Sequence, residues 1–143
     1  HFLSPAVTLS TRVFPVFAGL HGAAAVALGA YAAHGMAAQY GEAAVALVET
    51  GSRYGLSHAV ALLAVAAARG WIGGPARLAL GVAGWAFLLG ALLFPGALYG
   101  LALTGRPDFA AVAPFGGAAM ILGWLAVLAV AGLGAGVRAT GPR

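Results

Sequence analysis

Charged residues are absent from four long apolar runs of this chain, and no other feature constrains its fold as strongly. The runs are Val13–Ala33, Gly55–Ala68, Leu78–Leu103 and Phe115–Val137. All seven arginines and all three acids lie between or outside them. A charge left in hydrocarbon costs several kcal/mol, and about twenty apolar residues suffice for a helix to cross a bilayer. The pattern therefore predicts an integral membrane protein.

The runs predict an all-α fold, an integral membrane antiparallel four-helix bundle, with residues 1–143 as a single membrane domain. The predicted spans are 13–33, 52–69, 78–103 and 115–137, and 36–51 is predicted as an interfacial helix. The interfacial assignment rests on Glu42 and Glu49, which stand among apolar residues. Because the connections are short, consecutive helices are expected to run antiparallel.

Two prolines give local expectations. Pro95 lies inside the third span, where it removes a backbone hydrogen bond and clashes with the preceding turn, so a kink is predicted. Pro114 precedes the fourth span and is expected in its first helical turn.

Composition excludes several classes of function. Of the 143 residues, 62% are hydrophobic and only 7% are charged, far below what a soluble surface requires. The net charge of +4 does not indicate nucleic-acid binding, because the arginines stand singly at the ends of spans and form no patch. The chain has no cysteine, which excludes disulfides and thiolate metal sites.

The arginines also predict an orientation. One side of the membrane would hold five of them, Arg12, Arg69, Arg77, Arg138 and Arg143. The other side would hold two arginines and all three acids. By the positive-inside rule both termini are expected in the cytoplasm.

His21 is a candidate functional residue because it lies about 12 Å into the first span at 1.5 Å per residue. An ionisable group at that depth could relay protons, bind a quinone carbonyl or ligate a metal. The favoured interpretation is a neutral imidazole hydrogen-bonded to a neighbouring helix, since no second ionisable group lies deep in another span.

A second candidate set is polar and aromatic. Tyr54 and His58 are four residues apart and share one helix face, while His34 ends the first span and Tyr99 lies near the outer end of the third. We expect them to form a polar cluster near the outer surface. No metal-binding spacing is present, so we predict no metal, no cofactor and no catalytic residue.

Small residues recur in every span at spacings that let helix backbones approach closely. The glycines predicted to serve helix packing are Gly22, Gly29, Gly96, Gly100, Gly116, Gly117 and Gly123.

Four segments together resemble a known family. They read GAAAVALGAYAAHG (22–35), YGLSHAVALL (54–63), LFPGALYGLALTG (93–105) and APFGGAAMILGW (113–124). Their order and spacing are similar to the YgdD-like family of small four-span membrane proteins of unknown function. The matching positions are His34, Tyr54, His58, Tyr99, Thr104, Gly105, Pro114, Gly116, Gly117, Gly123 and Trp124. Pro95 and Gly55 depart from the family pattern, which commonly has serine and glutamine there.

The resemblance implies a multi-pass protein of the bacterial inner membrane and implies no reaction. We expect a non-catalytic accessory or assembly subunit that packs against other integral membrane proteins or itself within the lipid bilayer. The alternative is a small homo-oligomeric transporter or channel that uses His21 and the Pro95 kink. A membrane enzyme or haem protein built on the histidines ranks last, because a lone buried histidine does not make an active site.

Overall fold

A computed structural model describes residues 5–134 and 136–137, with side chains described for 12–134. In chain order the elements are α1 (Pro5–His34), α2 (Met36–Tyr40), α3 (Glu42–Trp71), β1 (Ile72–Gly73), α4 (Gly74–Leu93), α5 (Pro95–Thr104), α6 (Asp108–Gly132) and β2 (Gly136–Val137). The all-α prediction is confirmed. Arg138 and Arg143, which entered the predicted charge bias, lie outside the described residues.

Three helical stretches are long and apolar enough to cross a membrane. They are Arg12–His34, Gly74–Thr104 and Asp108–Gly132. Helix α3 has 30 residues, about 45 Å at 1.5 Å per residue, which exceeds the hydrocarbon thickness of about 30 Å. Its charged residues, among them Arg53 and Arg69, keep it below the hydropathy of the other three.

The helix bounds differ from the predicted spans at several places. Helix α1 begins at Pro5 rather than at 13, and α6 ends at Gly132, so the predicted span 115–137 wrongly included the strand Gly136–Val137. The segment 36–51 is divided at Gly41, whose φ of 86° breaks the helix, and its second part is the beginning of α3. Helix α6 begins at Asp108, so the expectation that Pro114 opens it is wrong. Pro114 lies in the second turn, where the missing N–H removes one intrahelical bond without ending the helix.

The helix is interrupted at Pro95, where the sequence predicts a kink. Helix α4 ends at Leu93 and α5 begins at Pro95, because proline cannot donate to the carbonyl four residues earlier. Gly105 ends α5 in the left-handed conformation, with φ 69°, and its N–H donates to the carbonyl of Leu101 at 2.8 Å.

The long helices pack in a chain of neighbours. Helix α1 packs mainly on α3, α3 packs on α4 and α5, and α4 packs most extensively on α6. Helices α3 and α4 are therefore central, and α1 and α6 lie on the outside. Among the described residues, α1 and α6 make at most marginal contact with each other.

One end of the molecule collects the start of α1, the end of α3, the start of α4 and the end of α6. The guanidinium of Arg69 lies 5.8 Å from the ring centroid of Phe14. An Arg77 guanidinium nitrogen donates to the carbonyl of Arg69. Strands β1 and β2 pair antiparallel, with Ile72 opposite Val137.

The core is built from large side chains set against small ones. Phe14 and Phe87 are fully buried in one cluster that joins α1, α3 and α4. At the opposite end, Met36 and Val48 are fully buried in a second cluster with Ala32 and Ala102. These two clusters fix the position of each helix along its axis relative to its neighbours.

Candidate functional site

His58 is the one buried polar side chain in the described core, at 6% exposure, and it lies where three helices meet. The indole Nε1 of Trp124 on α6 donates to Nε2 of His58 on α3 at 3.1 Å. The Nδ1 atom of His58 lies 2.8 Å from the carbonyl oxygen of Tyr54, one turn earlier in α3. Both ring nitrogens therefore have partners.

These two partners determine the tautomer of His58. An indole N–H can only donate, so Nε2 must accept and cannot carry the proton. The proton then resides on Nδ1 and is donated to the Tyr54 carbonyl, which can only accept. The neutral imidazole has no lone pair left for a metal ion or for a substrate proton.

Aromatic rings surround the imidazole. The Tyr54 ring stacks on it with centroids 6.2 Å apart, and Phe87 and Trp124 contact it edge-on at 5.5 and 5.8 Å. Phe87 and Trp124 also contact each other at 4.8 Å. Such edge-to-face pairs add to the area that each ring buries.

Two open depressions between α3 and α6 lie on this cluster, and Trp124 lines both of them. The first has a volume of about 300 Å³ and is lined by Tyr54, His58, Phe94, Gly117, Met120, Ile121 and Trp124. The second, of about 200 Å³, is lined by Ala61, Ala64, Val65, Ala68, Leu80, Phe87, Trp124 and Val127. We call the two together the α3–α6 groove.

Glycine permits the close contacts beneath this groove. A Cβ atom at Gly123 would lie 2.5 Å from a Phe87 ring carbon, so the ring occupies the space that any side chain would need. A Cβ at Gly116 would collide with the backbone at Phe94, next to the α4–α5 interruption. Gly117, by contrast, has no neighbour within 4 Å of that position and is open to the groove.

The other glycines predicted for packing differ in their surroundings. A Cβ at Gly29 would lie 2.7 Å from the Ser52 hydroxyl, and one at Gly100 would lie 2.6 Å from the Phe109 ring. A Cβ at Gly22 would lie 3.8 Å from the Cβ of Ala59, and one at Gly96 would lie 4.0 Å from the Ala91 carbonyl oxygen.

The predicted polar cluster is divided among separate places. Tyr54 and His58 are together in the groove. Val48 packs with Ala32 near the end of α1, and His58 is ten residues, about 15 Å, farther along α3, which separates it from His34. Within the described residues no group of three or more histidines and acids could hold a metal ion.

His21 and Tyr99 each have a buried polar atom without a partner. The Nε2 atom of His21 and the hydroxyl of Tyr99 make no hydrogen bond within the described part of the chain. The Tyr99 ring fits against Gly51, and its hydroxyl points towards Gly55. His21 lies near Phe17, with ring centroids 6.3 Å apart.

Two contributions were not predicted from the sequence. Trp124 is the hydrogen-bond partner of His58, which the pattern of the fourth span does not predict. Ser52 was not singled out, yet its hydroxyl donates to the Ala25 carbonyl at 2.5 Å and ties α3 to α1. The sequence signal for the Ser52 contact is a serine one helical turn from a glycine in an apolar helix. That signal does not identify the helix on which the acceptor lies.

Comparisons with known proteins assign this chain to a family. The family model described as "Protein of unknown function (DUF423)" matches residues 28–117. The chain belongs to the DUF423 family. The DUF423 match includes Tyr54, His58 and Tyr99, and it ends before Trp124.

Relatives of this family member carry membrane protein names. It is 34% identical over 122 residues to the UPF0382 membrane protein SERP0230 of Staphylococcus epidermidis, covering 85% of this chain and 96% of the relative. It is 32% identical to the UPF0382 membrane protein YwdK of Bacillus subtilis, with coverage of 84% and 96%. It is 34% identical to the UPF0382 inner membrane protein YgdD of Escherichia coli, with coverage of 84% and 89%.

The resemblance to the YgdD-like family is thereby confirmed, and the chain is a membrane protein of that family. No solved structure matches the chain significantly.

Proposed function

We propose that this protein is a non-catalytic, multi-pass subunit of the bacterial inner membrane that packs against a larger membrane protein complex. The observation that carries the proposal is the α3–α6 groove, which is open to the exterior between two helices. Its proposed occupant is an apolar transmembrane helix of the partner complex, because apolar and aromatic side chains dominate the lining.

The open shape of the groove favours a helix over a small ligand, because a small-molecule site usually surrounds most of its ligand. The two depressions hold about 300 and about 200 Å³ and are open to the exterior. They share Trp124 as a lining residue and suit successive side chains of one packed helix, with Gly117 permitting close approach of its backbone.

The hydrogen bonds of His58 support a role without catalysis. Both ring nitrogens are committed within the protein, to Trp124 and to the Tyr54 carbonyl. A general base needs a free lone pair within reach of the substrate proton. The imidazole therefore serves to join α3 to α6 and to shape the wall of the groove.

The proposal includes four antiparallel crossings with both termini in the cytoplasm. Three apolar helical stretches and the 30-residue α3 support four crossings. The grouping of Arg69 and Arg77 with the start of α1 and the end of α6 supports a shared cytoplasmic side under the positive-inside rule.

The test places a bulky side chain in the groove and asks whether a partner is lost. A photo-crosslinking amino acid at Ile121 would capture the helix seated in the first depression, in native membranes. Gly117→Leu fills that depression, while Gly19→Leu adds the same side chain at an open position on α1. We expect one near-stoichiometric adduct that Gly117→Leu abolishes and Gly19→Leu retains. Absence of an adduct, or equal capture by both variants, would refute the proposal.

The unpartnered atoms of His21 and Tyr99 favour one second candidate, a small homo-oligomeric transporter or channel. Polar atoms buried in a membrane protein without partners are typical of water-filled or solute-binding paths. Tyr99 lies one turn after the Pro95 interruption in α5, where a helix can bend. Flux through reconstituted vesicles tests this candidate, and equal leak for the wild type and His21→Ala would remove it.

A further inference from the structure

Helix α3 carries two opposite stripes with the same spacing. Residues separated alternately by four and three positions form a buried stripe, Ala44, Val48, Gly51, Gly55, His58, Leu62 and Val65. The same spacing shifted by two residues gives an exposed stripe, Glu42, Ala46, Glu49, Arg53, Leu56, Val60, Leu63 and Ala67. A repeat of this kind is the seam along which two helices pack at a shallow angle.

The contacts of α3 with α1 give the depth of the exposed stripe. Ala59 faces Gly22, which is close to the midpoint of the apolar stretch Arg12–His34. Arg53 is six residues from Ala59, so its backbone lies about 9 Å from the middle of the membrane, inside the half-thickness of about 15 Å. Glu49 is one turn farther, about 15 Å from the middle and at the boundary of the hydrocarbon.

These charges distinguish α3 from the other outward faces. Between Val13 and Ala33 in α1, and from Phe109 to Gly132 in α6, there is no charged side chain. Within the described residues the ion pair is Arg106 with Asp108, and neither Glu49 nor Arg53 has such a partner. An arginine whose backbone lies within the hydrocarbon is costly unless its guanidinium finds a partner or reaches the interface.

We propose that the exposed stripe of α3 is a homodimer interface, whose occupant is the same stripe of a second copy. Charge complementarity between Glu49 and Arg53 supports this pairing. About a two-fold axis along the membrane normal, each Glu49 approaches Arg53 of the other copy, and the pair occurs twice. Helical side chains lean towards the helix N-terminus, so Arg53 extends towards the level of Glu49.

The apolar part of the stripe completes the interface. Leu56, Val60 and Leu63 are all exposed and follow Arg53 towards the opposite side of the membrane. The stripe shares no residue with the lining of the α3–α6 groove. The inference is therefore independent of the proposed partner complex.

The first test uses the absence of cysteine from the chain. Val60→Cys places a thiol in the stripe, and Val26→Cys places one on the exposed face of α1, at nearly equal exposure of 59% and 60%. We expect oxidation in native membranes to link Val60→Cys chains into dimers at least about tenfold more than Val26→Cys chains. Equal linking of the two, or no linking at Val60, would overturn the proposal.

The second test separates contacts between copies from contacts within one helix. Chains carrying E49R have basic residues at both positions 49 and 53 of the stripe, and chains carrying R53E have acidic residues at both. Each, in the Val60→Cys background and expressed alone, should lose dimers at least about tenfold through like-charge repulsion. Co-expressed with different tags, they should form mixed dimers, because opposite charges then meet only across the interface. Mixed dimers no more abundant than dimers of either variant alone would contradict the proposal.

Discussion

Trp124 donates its indole N–H to the Nε2 atom of His58 at 3.1 Å, and this bond joins α6 to α3 beside the ring of Phe87. Helix α6 packs mainly on α4 rather than on α3. The bond is therefore a bridge over α4, and it holds the two walls of the groove at a fixed separation.

Trp124→Phe is expected to destabilise the protein by about 1–2 kcal/mol, because it leaves the buried acceptor of His58 without a donor while retaining an aromatic ring. The free energy of unfolding in mild detergent measures this loss. Trp71→Phe is the control, since Trp71 is 60% exposed at the end of α3. Equal stability of the two variants would show that the bond contributes nothing.

Gly123→Ala is expected to cost about 1–3 kcal/mol, because the new methyl group meets the Phe87 ring and forces one of two packed helices to move. Gly117→Ala, six residues earlier in α6, meets nothing within 4 Å. It should be neutral or stabilising by up to about 1 kcal/mol through helix propensity. Thermal unfolding of both variants in one detergent makes the comparison, and a matching loss at Gly117 would contradict it.

The sequence predicts the elements of this fold better than their arrangement. Charge-free runs locate the apolar helices, and proline chemistry predicts a kink at Pro95, where the helix is interrupted. The beginning of α6 at Asp108 was missed, because Pro114 reads equally well as a first-turn residue or as an interior proline tolerated in a helix of 25 residues.

In the candidate site, too, the sequence predicts the arrangement within one helix but not the contact between helices. A spacing of four residues places Tyr54 and His58 on one face, and they stack in the structure. The partner of His58 is 66 residues away on α6. No local pattern gives that pairing, since it depends on the packing of α6 over α4 and on the missing side chain at Gly123 that admits Phe87.

Ser52→Ala is expected to lower stability by about 0.5–1 kcal/mol, the usual range for one hydrogen bond between membrane helices. The Ser52 hydroxyl donates to the Ala25 carbonyl on α1, whereas the Ser57 hydroxyl donates to the Tyr54 carbonyl within α3. Ser57→Ala should therefore change stability by less than about 0.5 kcal/mol. The free energy of unfolding of both variants in the same detergent measures the difference. A larger loss for Ser57→Ala than for Ser52→Ala would contradict the prediction.

Reporter fusions are expected to find the C-terminus in the cytoplasm and the segment after Gly105 outside it. The physical reason is the arginine grouping, because Arg69 and Arg77 occupy the end where α3 finishes and α4 begins. A fluorescent protein fused after Arg143 should mature and fluoresce, and alkaline phosphatase fused after Gly105 should be active. Replacing Arg69 and Arg77 by alanine should reduce both signals, since it removes two of the basic residues that hold this end inside. Phosphatase activity at the C-terminus of the unaltered chain would reverse the proposed orientation.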